Sequence, residues 1–108
     1  MEIQAYCENS NLFVKLDGEI DHHSATDIRQ KIDEMILKNR PHCLVADLSD
    51  IDFMDSSGLG LVLGRFRKMK DIKGNMIIVN PSDRILCMLK MCGVDKLIKI
   101  VSSQGEKS

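Results

Sequence analysis

The chain has 108 residues, 44% of them hydrophobic, and its 15 basic and 16 acidic side chains leave a net charge of −1. That is one domain's worth of sequence with enough apolar material for a core, and it lacks the positive surplus of a nucleic-acid footprint. With no Trp and 4% aromatic residues there is no stacking platform for bases, and no apolar run nears the roughly 20 residues a membrane span requires.

A single domain over residues 1–108 is expected. The opening Met1-Glu2-Ile3-Gln4 lacks the basic and apolar regions of a signal peptide, so the expected location is cytoplasmic. The four cysteines, Cys7, Cys43, Cys87 and Cys92, are then expected to be reduced. Three of them fall in predicted strands or a helix among apolar neighbours, where buried thiols are the expectation. No Cys/His cluster is tight enough for a metal site.

Residues 3–7 and 12–17 read as two strands around the turn cluster Asn9-Ser10-Asn11, which predicts a hairpin. Asp17-Gly18 ends the second strand, since glycine can take the positive φ of a turn, and Glu19-Ile20-Asp21-His22-His23 reads as a polar loop. A helix starts at Ser24 or its neighbours, with Ile28, Ile32, Met35 and Ile36 as its apolar stripe. Asn39-Arg40-Pro41 stops it.

Residues 43–48 are short and apolar and suit a central strand covered by helices. A short acidic loop follows, with the carboxylates Asp47, Asp50, Asp52 and Asp55 and the adjacent hydroxyls Ser56 and Ser57. The next helix runs to about Asp71 on the stripe Leu59, Val62, Leu63, Phe66 and Met69, with Ser57 in its first turn. Leu61, Arg65 and Lys68 fall off that stripe and are expected on the exposed side, with Leu61 a candidate anchor for a partner's groove. Gly58, Gly60 and Gly64 each cost the helix about 1 kcal/mol relative to alanine, which implies close helix–sheet packing or a partner's approach.

Lys73-Gly74 is a turn, Asn75 to Val79 an apolar strand, and Asn80-Pro81-Ser82-Asp83 supplies turn and cap chemistry. The third helix carries Ile85, Leu86 and Leu89 on one face, with Gly93 at its C-terminal cap. Residues 97–101 form the last strand and residues 102–108 a polar tail. The predicted fold is α/β: a mixed, mostly parallel sheet of about five strands with crossover helices, antiparallel only at the hairpin. With strands in chain order, the helices share one face.

Sites in open α/β sheets lie beyond the carboxyl ends of the strands. The loops after the second and third strands meet that description, so Asp21 and Asp55 are both expected to approach Ser57. A serine at a helix start either caps the helix, as Asp55 or Ser56 equally can, or carries a phosphate that the helix end favours. Catalytic chemistry is not expected. The nucleophile elbow Gly-x-Ser-x-Gly is absent, and His22, His23 and His42 are the only candidate bases, none placed as one. The four carboxylates exceed what a Mg²⁺ site normally takes, and no phosphate-cradling loop is present. No cofactor is assigned.

The run Phe53-Met54-Asp55-Ser56-Ser57-Gly58-Leu59-Gly60, preceded by Val45-Ala46-Asp47-Leu48-Ser49, resembles the signature of the STAS domain of anti-sigma factor antagonists. Gly18-Glu19-Ile20-Asp21-His22-His23-Ser24-Ala25, Asn80-Pro81 and Cys92-Gly93-Val94-Asp95-Lys96-Leu97 resemble further elements of that family, and the likeness runs the whole chain in order. It is strongest to the sporulation-type antagonists of the first forespore sigma factor.

The resemblance implies partner switching and transcription regulation. The unphosphorylated protein binds an anti-sigma factor with serine kinase activity and releases the sigma factor; phosphorylation then switches binding off, and a serine phosphatase resets it. The phosphorylated serine of the family matches Ser57, and Asp21, Asp55, Ser56, Gly58, Leu61 and Arg65 are the candidate partner-binding residues. Neither nucleic acid nor a membrane enters as a partner. The alternatives are a STAS module of another partner-switching or stress pathway, and a STAS domain that senses a small ligand.

Overall fold

The structure, a computed structural model, describes residues 3–102. In chain order its elements are β1 (Ile3–Glu8), β2 (Asn11–Ile20), α1 (His22–Asn39), β3 (Cys43–Met54), α2 (Ser56–Asp71), β4 (Asn75–Val79), α3 (Asp83–Met91), a 3-10 turn (Val94–Lys96) and β5 (Lys99–Val101). The strands lie in one sheet in the order β1-β2-β3-β4-β5, with β1 antiparallel to β2 and every later pair parallel. The mixed sheet expected from the sequence is the one observed.

The hairpin closes as its turn residues require. Asn9 and Ser10 both take positive φ, 53° and 66°, the left-handed geometry that matches a two-residue turn to the twist of its strands. Gly18 behaves otherwise than expected. Its φ of 95° makes an irregularity inside β2 rather than ending the strand, and the register with β3 shifts on either side of it. β2 thus continues to Ile20, which is fully buried.

β3 corrects the sequence reading more strongly. Residues 49–54, read as an acidic loop, extend the strand to Met54. Asp17, Gly18, Glu19 and Ile20 pair with Asp50, Ile51, Phe53 and Met54. Leu48, Ile51 and Met54 point into the core while Asp50 and Asp52 stay exposed, Asp50 lying 3.4 Å from Lys15 Nζ across the strands. The carboxylates are therefore spread along a strand and do not converge.

Right-handed crossovers between strands in chain order put all three helices on one side of the sheet. The core lies there: Leu12, Val14 and Leu16 of β2, Leu44, Ala46 and Leu48 of β3 and Met76 and Ile78 of β4 pack against Ile28, Ile32 and Ile36 of α1, Leu61, Val62 and Met69 of α2 and Ile85 and Leu89 of α3. At the end of α3, Gly93 takes φ 77° past the last turn, as a helix-ending glycine does. The 3-10 turn that follows was not anticipated, and it delays β5 to Lys99. The expected tail lies outside the described residues beyond Ser102.

Two further expectations fail. The thiols of Cys7, Cys87 and Cys92 are exposed and Cys43 is half-buried: β1 is an edge strand, and α3 buries only Ile85 and Leu89. On α2, Leu61 and Arg65 are not exposed, each keeping 5% of its surface, whereas Lys68 is exposed as expected. The cause is that α2 packs against α1 as well as the sheet, so its buried surface spans two directions and includes Gly58, Leu61, Val62, Arg65 and Met69. Leu59, Leu63 and Phe66, taken as the centre of the stripe, are only half-buried.

Candidate functional site

β2 and β3 end level with each other. Ile20 pairs with Met54, and the Asp55 N–H donates to the Ile20 carbonyl at 3.3 Å. Each strand runs directly into a helix through one aspartate. Asp21 is the N-cap of α1 and Asp55 the N-cap of α2, both in extended backbone geometry. A capping carboxylate takes up helix-end N–H groups that have no partner within the helix.

The two caps use their acceptors alike. Asp21 Oδ1 accepts from the His23 and Ser24 N–H groups at 2.9 and 3.0 Å. Asp55 Oδ1 accepts from the Ser57 and Gly58 N–H groups at 2.8 and 3.3 Å. In α1 the box is reciprocal: Ser24 Oγ accepts from the Asp21 N–H at 3.1 Å and donates to the Glu19 carbonyl at 3.1 Å. The Ser24 N–H above all holds the Asp21 carboxyl below the usual aspartate range, partly opposed by desolvation.

Ser57 is therefore not the cap of α2. It is the second helical residue, half-buried, and its hydroxyl makes no hydrogen bond among the described residues. Asp55 does the capping that the sequence left open among three residues. Ser56, one position earlier, is exposed. Asp55 already occupies the Ser57 and Gly58 amides, so a phosphate at this helix end would compete with the cap for them.

A groove of about 330 Å³ opens between the first turns of the two helices. His22, Thr26 and Arg29 line it from α1, and Ser57, Gly60 and Leu61 from α2. The glycines divide the work: a Cβ on Gly58 would overlap Met54 Cγ and approach Ile20 Cγ2 to 3.2 Å, whereas a Cβ on Gly60 or Gly64 would meet nothing within 4 Å. Gly58 lets α2 start hard against the strand ends, and Gly60 leaves bare backbone beside Ser57.

Of the residues singled out in the sequence, Asp21, Asp55, Ser56, Ser57 and Gly58 meet at the two strand ends. Leu61 joins them only as part of the groove wall. Arg65 does not join them. Its Nε lies 2.9 Å from Asp33 Oδ1 of α1 in an ion pair that fastens the two helices. Burial lowers the Arg65 pKa, Asp33 opposes that and the nearby Arg29 adds to it. His22 was expected near Ser57 only as part of a solvated loop, and Thr26 and Arg29 were missed as site residues. Their signal was the spacing of 4 and then 3 along α1, which puts them on one side of the helix; it reads as solvated surface until α2 is known to lie alongside.

Among the described residues no helix is long and apolar enough to cross a membrane, and no three His, Cys, Asp or Glu side chains gather as a metal cage. The family description "STAS domain" matches residues 2–106. The anti-sigma F factor antagonist of Lysinibacillus sphaericus is 38% identical over 81 residues, covering 75% of this chain and 69% of its own length. That of Paenibacillus polymyxa is 32% identical over 104 residues, covering 96% and 89%. Among solved structures, the anti-sigma factor antagonist SpoIIAA in its unphosphorylated form superposes with a TM-score of 0.82 at 30% identity, over 98% of this chain and 91% of that one. SpoIIAA in its phosphorylated form, described as a Bacillus cell fate determinant, gives 0.76 at 30% identity over 98% and 95%.

Proposed function

This chain belongs to the STAS domain family, and on that footing we propose that it is an anti-sigma factor antagonist switched by phosphorylation at Ser57. Unphosphorylated, it binds an anti-sigma factor that is also a serine kinase, and so frees the sigma factor. The kinase transfers the γ-phosphoryl group of ATP: the bond from phosphorus to the β,γ-bridging oxygen breaks, a bond to Ser57 Oγ forms, ADP leaves, and the hydroxyl proton passes to a base of the kinase. A serine phosphatase restores the hydroxyl. The chain in this reading is a binding partner and a substrate, and assigns no catalytic residue of its own.

The observation that carries the reading is the idle hydroxyl of Ser57, on the rim of a groove and exempt from the capping that occupies Asp21, Ser24 and Asp55. The switch needs no refolding. Phosphorylation adds about −1.5 to −2 charges and three acceptor oxygens at the contact surface, close to two carboxylates that are already in place. Asp21, Asp55 and Ser56 form the docking rim in this reading; the buried Gly58 and Leu61 support it from beneath, and Arg65 acts on it only by holding α2 to α1.

The test is binding of the purified chain to the kinase-type anti-sigma factor of its own cell. Ser57→Ala should bind and stay bound in the presence of ATP, while Ser57→Asp should bind at least tenfold more weakly, a difference of about 1.4 kcal/mol. Mass mapping after incubation with kinase and ATP should find phosphate on Ser57. Phosphate on Ser56 with Ser57 clean, or equal binding by the two variants, would refute the assignment.

A further inference from the structure

The groove beside Ser57 has a cationic wall and no carboxylate in its lining. The capping carboxylates Asp21 and Asp55 stand next to it at the strand ends, and the Ser57 and Gly58 amides are already taken by Asp55. On the α1 side stand Arg29, Thr26 and His22. Arg29 is exposed and has no ion-pair partner among the described residues. The neighbouring cations are engaged: Lys31 Nζ lies 3.2 Å from Asp27, and Arg65 Nε 2.9 Å from Asp33.

We propose that Arg29 receives the Ser57 phosphate, its guanidinium reaching across the groove from α1 to hold two oxygens of the phosphoserine on α2. The inference rests on Ser57 being the phosphoacceptor. A guanidinium offers two parallel N–H donors that fit phosphate oxygens, and such charge-assisted bonds are stronger than neutral ones. Asp21 and Asp55 repel the new dianion from the strand ends, which sends it toward α1. The Thr26 hydroxyl, one turn before Arg29 on the same wall, supplies a further donor. Phosphorylation then fills the groove from within: the chain's own arginine occupies the space and withdraws the groove's unpaired guanidinium from any partner.

The test places phosphoserine at position 57 by genetic-code expansion, so that no kinase is needed, and follows its ³¹P resonance through a pH titration. The charged or titratable groups around the phosphate and around Arg29 are Asp21, Asp55 and His22 at the helix starts and the Asp33–Arg65 pair behind Arg29, and all of these are common to every variant compared. A free phosphoserine loses its second proton at about pH 6. In the intact chain the midpoint should lie lower, and Arg29→Gln should raise it by about half a unit or more, roughly a threefold or greater change in proton affinity. Lys31→Gln makes the same charge change on an exposed neighbour and should leave the midpoint in place. Melting of the unmodified Arg29→Gln chain should match wild type, because the side chain is exposed and glutamine is a good helix former.

Equal midpoints in wild type and Arg29→Gln, or an equal rise in Lys31→Gln, would overturn the proposal. The two readings fail separately. A kinase that phosphorylates Ser57 alongside an Arg29-insensitive midpoint sinks this inference and leaves the phosphoacceptor standing. An Arg29-sensitive midpoint in a chain whose kinase never modifies Ser57 supports the groove chemistry and sinks the phosphoacceptor.

Discussion

The starts of α1 and α2 are built on one plan and used differently. Each follows a strand end, each is capped by an aspartate, and each cap accepts from the second and third amides of its helix. In α1 the third residue is Ser24, whose hydroxyl bonds back to the cap and to Glu19, so that hydroxyl is fully engaged in the turn. In α2 the third residue is Gly58, which has no side chain to return the bond, and Ser57 keeps its hydroxyl free. The difference teaches that a hydroxyl at a helix start becomes available for chemistry when a neighbouring carboxylate takes over the cap. The bareness of Gly58 also keeps α2 pressed against Met54 and Ile20, so the free hydroxyl stands on a rigid base.

The largest expected effect breaks the comparison at that glycine. Gly58→Ala forces a Cβ into Met54 and Ile20 and should cost about 1–3 kcal/mol, the usual range for overpacking a core, read as a lower urea midpoint with an unchanged slope. Gly60→Ala, with open space at its Cβ position, should instead stabilise by about 0.5–1 kcal/mol through helix propensity. A destabilising Gly60→Ala would show that the groove wall is tighter than the structure places it.

The two serines sharpen the comparison with a smaller effect. Ser24→Ala removes the reciprocal half of the box and should cost about 1 kcal/mol. Ser57→Ala touches no hydrogen bond and should leave stability within about 0.5 kcal/mol of wild type. Equal losses in thermal melts would mean that the Ser57 hydroxyl is as structural as its counterpart in α1.

The smallest effect separates the charge of the α1 cap from its shape. The Asp21 carboxyl is held below its ordinary value by the Ser24 N–H, so its ionised form is favoured in the folded state. The resulting stability is fully present above the unfolded value near pH 4 and is lost as pH falls through the lower folded value. Asp21→Asn keeps a capping oxygen and has no such titration. The stability advantage of wild type over Asp21→Asn should therefore shrink below about pH 4 in acid titrations followed by circular dichroism. A constant difference from pH 7 to pH 2 would show that charge plays no part in this cap.

The element order, the sheet and the place of Ser57 were legible because long apolar runs and turn residues marked them. The extension of β3 was not. The partner β2 has ten residues against twelve in β3, and the register shifts leave the extra residues on β3. Buried residues in its second half accordingly recur every third position, Leu48, Ile51 and Met54, with carboxylates between them, and that pattern has no strand period to detect. Leu61 and Arg65 were misplaced for another reason. One apolar stripe was fitted to a helix that faces two neighbours, and an arginine paired to Asp33 counts as polar in any such pattern. The groove itself was illegible because it belongs to no single segment: Arg29 and Ser57 become neighbours only when α1 and α2 lie side by side.

The agreement between strand order and chain order bears on how the molecule assembles. Each strand pairs only with the strands just before and after it along the chain. The parallel pairings enclose connections of similar length, residues 21–42, 55–74 and 80–98, and because the entropy of closing a loop grows only with the logarithm of its length, they cost nearly the same. No pairing waits for a distant segment. The sheet can grow one helix and one strand at a time from the hairpin, in the order in which a ribosome delivers them. The β2–β3 edge that carries the two capped helix starts is complete once α2 has emerged, before β4, α3 and β5 exist.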